Sequence, residues 1–209
     1  MEEVEKPPHH IVREEIQVRR ALLEDAPHIA KLIDASIRKL AAGYYDPAQI
    51  ESSLKHLFGV DSTMIMDQTY FVAEVRKAVP APKKPPQGLP QNTPPLIVAA
   101  GGWSFRRTPF GGDQEQTVRD ADTRDPRIDP AVIRAMYVHP DWARKKLGHL
   151  IITACEHAAR AAGFSSYELV ATLSGVSFYE KQGYSKKETI EHRLPDGTLL
   201  DFIRMAKMP

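Results

Sequence analysis

Apolar and polar positions change period along the chain, and each change marks an element. Ile16 and Val18 alternate with Gln17 and Arg19, the pattern of a half-buried strand. Ile29, Leu32, Ile33, Ile37 and Leu40 then recur every three or four residues. They predict a helix that opens at Asp25, a suitable N-cap, tolerates Pro27 in its first turn and stops at Gly43. Asp46-Pro47 opens a second helix, with Ile50, Leu54, Leu57 and Phe58 on its apolar side. Residues 63–66 and 69–75 read as strands meeting at Asp67-Gln68. An apolar strand follows over 96–105, with the pair Gly101-Gly102 inside it, and a buried strand over 133–138. Leu147, Leu150, Ile151, Ala154 and Ala158 place a helix over 146–162, closed by Gly163. A strand at 166–171, a short helix at 175–182 and a hairpin of 187–193 with 198–206 complete the order. This is an α/β domain with a mixed sheet.

Two segments break the pattern. Seven of the 17 prolines fall between Pro80 and Pro95, so 77–95 reads as a Pro-rich, polyproline-like insertion between paired strands. Residues 106–130 form a long polar loop with five arginines and six carboxylates. Residues 1–12 read as a mobile arm, leaving 13–209 as one domain.

Charge narrows the function. Lys and Arg total 28 against 27 Asp and Glu, a formal charge of +1, which gives no basic field for nucleic acid. No apolar run reaches the ~20 residues of a membrane helix, and the acidic, proline-bearing start is unlike a secretory signal. One cysteine, Cys155, excludes an intrachain disulfide and suits a reducing compartment; it reads as a small core residue. A cytoplasmic location follows as the expectation, with the nucleus open. The eight histidines show no metal spacing, so no metal is expected.

Chemistry concentrates between 133 and 184. The strand ending at Val138 runs through His139-Pro140 into a turn carrying Arg144, Lys145 and Lys146, then directly into a helix with Gly148 in its first turn. Backbone amides at the positive end of a helix make an anion site, so this reads as a phosphate-binding turn; the alternative is an ordinary turn with a solvated basic run.

The stretch 169–184, with Gly175, Phe178-Tyr179-Glu180-Lys181, Gly183 and Tyr184, resembles the closing segment of the GNAT superfamily of acyl-CoA-dependent N-acetyltransferases. The turn from Val138 to Gly148 resembles that family's pyrophosphate loop, and the spacing and element order agree over about 16–76 and 96–206. Departures are Ala143 at the Arg/Gln position, Lys146 at the first glycine and Ser174 in place of a frequent asparagine. A positive φ at Lys146 would carry strain that glycine avoids. The whole pattern resembles a poorly characterised branch of the superfamily.

The resemblance implies a GNAT fold: a mixed, mostly antiparallel sheet with flanking helices and a splayed strand pair, identified with 96–105 and 133–138. It implies acetyl-CoA as cofactor, its pantetheine arm along Met136, Tyr137 and Val138. Its pyrophosphate would rest on Arg144, Lys145, Lys146, Leu147, Gly148 and His149, with Ser174, Ser177, Phe178, Tyr179 and Lys181 completing the site. It implies Tyr179 as general acid toward the departing thiolate, and an oxyanion donor at a bulge matching Gly101-Gly102. Phe178 reads as a core plug.

The general base stays open among Glu74, Tyr70, Asp67, His139 and the turn Tyr44-Tyr45-Asp46, and Glu74 reads equally as a satisfied strand carboxylate. Tyr44, Tyr45, Tyr70, Gly102 and Trp103 are the expected acceptor pocket; Trp103 serves equally as a core aromatic. Loop 106–130 is expected to cap the acceptor side. The expected activity is direct acetyl transfer to a primary amine of a small molecule. Its rivals are a protein or peptide acetyltransferase acting on lysine or the N-terminus, and an acyl-CoA-binding module without turnover. Neither nucleic acid nor membrane is expected as a partner, and a homodimer stays open.

Overall fold

A computed structural model describes residues 15–76 and 96–208; the expected arm 1–12 and the Pro-rich insertion 77–95 lie outside the described residues. Seven strands form one sheet: β1 (Glu15–Arg20), β2 (Tyr70–Arg76), β3 (Leu96–Ser104), β4 (Ala131–Val138), β5 (Tyr167–Thr172), β6 (Ser185–Arg193) and β7 (Leu199–Lys207). Their order is β1-β2-β3-β4-β5-β7-β6, and every neighbouring pair is antiparallel except β4 and β5. The helices are α1 (Ala26–Leu40), α2 (Pro47–His56), α3 (Ser62–Met66), α4 (Leu147–Ala161) and α5 (Val176–Lys181). Helices α1 and α2 cover one face of the sheet, on a core that includes Tyr70, Val72, Tyr137 and Phe202. Helix α4 covers the other, on Val98, Ile133, Leu169 and Met205.

Local chemistry explains the elements. Asp46 caps α2 by accepting from the Gln49 amide at 2.8 Å, while Gln49 Oε1 accepts from the Asp46 amide. Asp25 does other work than the expected cap. Its carboxylate takes the Leu22 amide and both terminal nitrogens of Arg19, and α1 starts without a side-chain cap.

The expected strand at 63–66 is helix α3 instead. Asp61 caps it by accepting from the Met64 amide at 3.2 Å, and Gln68, at φ 59, turns the chain into β2.

Two further expectations are corrected. Strands β3 and β4 are not the splayed pair; they are registered from Ala99 opposite Val138 to Ser104 opposite Val132. The pair that parts is β4 and β5, matched only at Ala131–Tyr167 and Val132–Glu168. The bulge also lies on β4, not at Gly101-Gly102. Between Ala100–Tyr137 and Gly102–Arg134, β4 holds one residue more than β3, and Ala135 has φ 55. The glycine pair serves packing: a Cβ on Gly101 would lie 2.2 Å from Met136 Sδ, and one on Gly102 2.3 Å from the Met64 methyl.

Candidate active site

The site begins with the parting of β4 and β5. After Val132 and Glu168, β5 continues against β7 while β4 continues against β3. The facing backbone edges, from Ile133 on one strand and Leu169 on the other, have no strand partner among the described residues. The bulge then changes what β4 presents. A regular strand would keep its alternation, but the extra residue at Ala135 switches it. Arg134, Ala135 and Tyr137 face the α1/α2 side, while Met136 and Val138 pack on the α4 side. The Tyr70 hydroxyl donates to the Ala135 carbonyl at 3.3 Å and supports the bulge from beneath.

The turn beyond β4 is tightly wound and leads straight into α4. His139 Nδ1 accepts from the Asp141 amide at 3.3 Å, and Pro140–Trp142 form one tight turn. Arg144 and Lys146 both adopt the left-handed conformation, at φ 66 and 63, so the strain foreseen at Lys146 is present and doubled. Helix α4 starts at Leu147 with no side-chain cap. Arg144, Lys145, Lys146 and His149 are exposed around its first turn, and Lys145 Nζ sits 4.1 Å from the Trp142 ring centroid. Leu147 points into the core. Gly148 lets α5 close on α4: a Cβ there would meet the Phe178 ring at 3.1 Å. Phe178 thus packs between two helices.

Across the gap, Tyr179 on α5 is buried against Phe178 and Tyr184, with centroids 5.1 and 6.0 Å away. Burial pushes its phenol well above the ordinary value, with the neighbouring Tyr137 adding to the effect. Its hydroxyl has no hydrogen-bond partner among the described residues. Tyr184 donates to Glu156 at 2.9 Å, which anchors the chain after α5 onto α4. Ser174 shares a hydrogen bond with Thr172 at 3.1 Å, and Ser177 and Lys181 are exposed on α5. Gly175 lies close to both Tyr179 and Thr172, at 3.1 and 3.2 Å from where its Cβ would be.

These residues fit a coenzyme A thioester. The open edge of β4 suits a pantetheine arm, the uncapped and cationic start of α4 suits a diphosphate, and Tyr179 stands opposite β4 with a free hydroxyl.

The expected acceptor residues do not all converge. Tyr44 is exposed at 56%. Tyr45 is spent on structure, donating to the Asp201 carbonyl and accepting from the Leu173 amide; burial raises its phenol to about 12. Trp103 packs edge-on against Phe105 and Phe164. Glu74, fully buried, accepts from Arg19 at 2.7 Å, and Arg19 also holds Asp25. Among the described residues no three His, Cys, Asp or Glu side chains are grouped to hold a metal ion. Cys155 is a buried core residue whose thiol is pushed up by burial.

Sequence reasoning missed what the long loop does. It folds onto the α1/α2 face with its charges paired partly within the loop and partly to neighbouring elements. Arg106 holds Asp67, Arg119 and Arg134 hold Asp61, Arg124 holds Glu168, and Arg107 and Arg127 hold Asp129 and Asp125. Glu115 is buried. Burial raises its carboxyl, but the Thr117 hydroxyl and amide and His192 outweigh that and hold it low. Phe110 stacks on Phe202 at 5.8 Å and meets His192 edge-on at 5.1 Å. A lone phenylalanine in a polar loop was the signal that this segment docks.

Residues 113–186 match the family model of the GNAT acetyltransferase domain. The matched stretch carries both sides of the gap, the turn, α4 and α5. In fold the chain is similar to a GCN5-related N-acetyltransferase from Rhodopseudomonas palustris, at TM-score 0.62 and 22% identity over 96% of this chain and all of that one. It is similar to the PaiA N-acetyltransferase of Thermoplasma acidophilum, solved in complex with coenzyme A, at TM-score 0.57 and 15% identity over 93% and 99% of the chains. A third is the ribosomal-protein-S18-alanine N-acetyltransferase of Escherichia coli, at TM-score 0.51 and 14% identity over 93% and 94%. No curated protein matches the chain.

Proposed function

We propose that this GNAT-superfamily acetyltransferase moves an acetyl group from acetyl-CoA to a primary amine of a small molecule, by direct transfer with both substrates bound. The observation that carries the reading is the gap itself: two strands that part after Val132–Glu168, the cationic start of α4 at one side of it and the free hydroxyl of Tyr179 at the other. When bound, acetyl-CoA supplies an activated carbonyl carbon on sulfur.

The chain's own residues supply the rest. Met136, Tyr137 and Val138 hold the pantetheine arm by their main chain, as an added strand. The turn Arg144–His149 holds the diphosphate by amides, and three cations neutralise it. Ser174, Ser177, Phe178 and Lys181 flank the arm on the α5 side. In the transfer, the amine nitrogen bonds to the carbonyl carbon and the carbon–sulfur bond breaks. Sulfur leaves with the electron pair and takes the phenolic proton of Tyr179, while the amine sheds its proton to solvent, from which Tyr179 is reprotonated. Because burial holds its phenol above the ordinary value, Tyr179 keeps that proton throughout the neutral range. Glu74 is disfavoured as base by its bond to Arg19.

A small acceptor is favoured by the docked loop: Phe110, Thr108 and Glu115 fill the face that a peptide groove would need open. The test is thiol release from acetyl-CoA across a panel of amines, run beside Tyr179→Phe. Turnover with small amines and a rate lowered by the substitution support the reading. Acetylation of lysine peptides alone would transfer it to the protein-directed class. Stabilisation by coenzyme A with no turnover on any amine would make the chain a binding module.

A further inference from the structure

The gap between β4 and β5 has a second face. On the side of the docked loop, a cavity of about 290 Å³ sits at the root of the parting, against the last matched pair, Val132 and Glu168. A larger one, of about 460 Å³, lies between the C-terminal end of α4 and the end of β7, lined by Gly163, Phe164 and Lys207, and touches none of the site.

The smaller cavity has an apolar floor of Phe110, Val132, Val170 and Ile190 and three guanidiniums at its wall, Arg107, Arg124 and Arg204, against one carboxylate, Glu168. Glu168 is saturated: Arg124 donates to it at 2.6 Å and Arg204 at 2.9 Å. Arg124 is spent, its other nitrogens on the Arg106 and Pro130 carbonyls. Arg204 reaches Glu188 at 3.1 Å. Arg107 is different. Its one bond, at 3.2 Å, joins Asp129, and 45% of its side chain is exposed. Such an exposed contact holds weakly and is easily exchanged, leaving a planar fork free to grip a carboxylate with two nitrogens. Asp129 and Glu188 pair with Arg107 and Arg204 from outside the lining, across contacts exposed enough for an entering carboxylate to displace them.

Resting on the acetyltransferase reading, we infer that the acceptor carries a carboxylate remote from its reactive amine, with Arg107 and Arg204 gripping the acid and the apolar floor holding the chain between. The register sets the length. From Val132 to the bulge at Ala135–Met136 is three to four residues, roughly 10–13 Å at strand rise, and the acid enters the cavity rather than sitting at Val132 itself. An amine at the bulge and a carboxylate in the cavity are then on the order of 10 Å apart, about the span of an eight-carbon ω-amino acid.

The experiment is calorimetric titration of the full chain, without cofactor, using octanoate, octylamine, 8-aminooctanoate and inorganic phosphate. Octanoate and 8-aminooctanoate are expected to bind and octylamine not. Arg107→Gln is expected to weaken octanoate at least tenfold, Arg107→Lys to recover part of that, and Asp129→Asn to tighten it severalfold by releasing the fork. Thermal melts confirm that the variants fold, and Arg204→Gln serves as the second probe. Octanoate that fails to bind, binds equally to both glutamine variants, or is matched by octylamine overturns the inference; phosphate bound in preference to octanoate overturns the carboxylate assignment. Absence of acetylation on any amine, with octanoate binding retained, would sink the acetyltransferase reading and leave this site standing.

Discussion

At the scale of single residues, Tyr179 and Lys146 separate function from fold. Tyr179 has a hydroxyl with no partner among the described residues, so replacing it with phenylalanine removes no internal hydrogen bond. Tyr179→Phe is expected to leave the thermal midpoint nearly unchanged and to lower kcat by about a hundredfold or more, the usual weight of a positioned proton donor. A rate within threefold of the parent would remove Tyr179 from the chemistry. Lys146 is the reverse case, a lysine holding φ 63 where glycine would rest without strain. Lys146→Gly is expected to raise stability by about 1 kcal/mol in urea unfolding while weakening coenzyme A in calorimetry, because a charge at the start of α4 is lost. Both residues were legible in the sequence, since a short motif and a departure from a motif are local. The bulge was not. Nothing in Arg134-Ala135-Met136 announces it, whereas Gly101-Gly102 looked the part, and the glycines answer instead to Met136, Ile151 and Met64 pressing from both faces.

At the scale of elements, long-range ion pairs decide what local pattern leaves open. Residues 63–66 read as a strand on β-compatible side chains, yet Asp61 makes them a helix and at the same time holds Arg134 and Arg119. Arg134 is buried, at 6% exposure, and donates to the Thr108 and Gly111 carbonyls, so Asp61 joins α3, β4 and the long loop. Its removal would leave a guanidinium buried without its counter-ion. Asp61→Ala is therefore expected to cost about 3–5 kcal/mol, read by chemical denaturation; a loss under 1 kcal/mol would show that the pair is incidental. The Asp25–Arg19–Glu74 cluster gives a pH test. The bond from Arg19 holds the Asp25 carboxyl below its ordinary range, against the opposing effect of burial. A lowered folded value means that the stabilisation is present above the unfolded value, near pH 4, and disappears as the pH falls through the folded one. Acid unfolding should accordingly show a shallower pH dependence below about pH 4 in Asp25→Asn than in the parent.

For the whole molecule, the consequence of the topology is a sheet open in its middle and covered differently on its two faces. Helices α4 and α5 guard the side where a coenzyme A diphosphate fits, and the docked loop with α1 and α2 guards the other. The element order announced this class of sheet, but which two strands part depends on the hairpin's return, β7 lying between β5 and β6, a pairing beyond any local signal. If the gap takes the thioester, ligand binding must brace the contact between α4 and α5 that closes it. At a hundredfold excess over its Kd, coenzyme A should add about 2.7 kcal/mol, or roughly 5–10 °C in a melt of a chain this size. Gly148→Val probes the brace, because the added side chain meets the Phe178 ring where a Cβ would already stand 3.1 Å away. The substitution pries α5 from α4 at the mouth of the gap and leaves both cores in place. It is expected to lower the midpoint of the free protein by a few degrees and to abolish most of the shift produced by coenzyme A. An undiminished shift would mean that the diphosphate rests somewhere other than the first turn of α4.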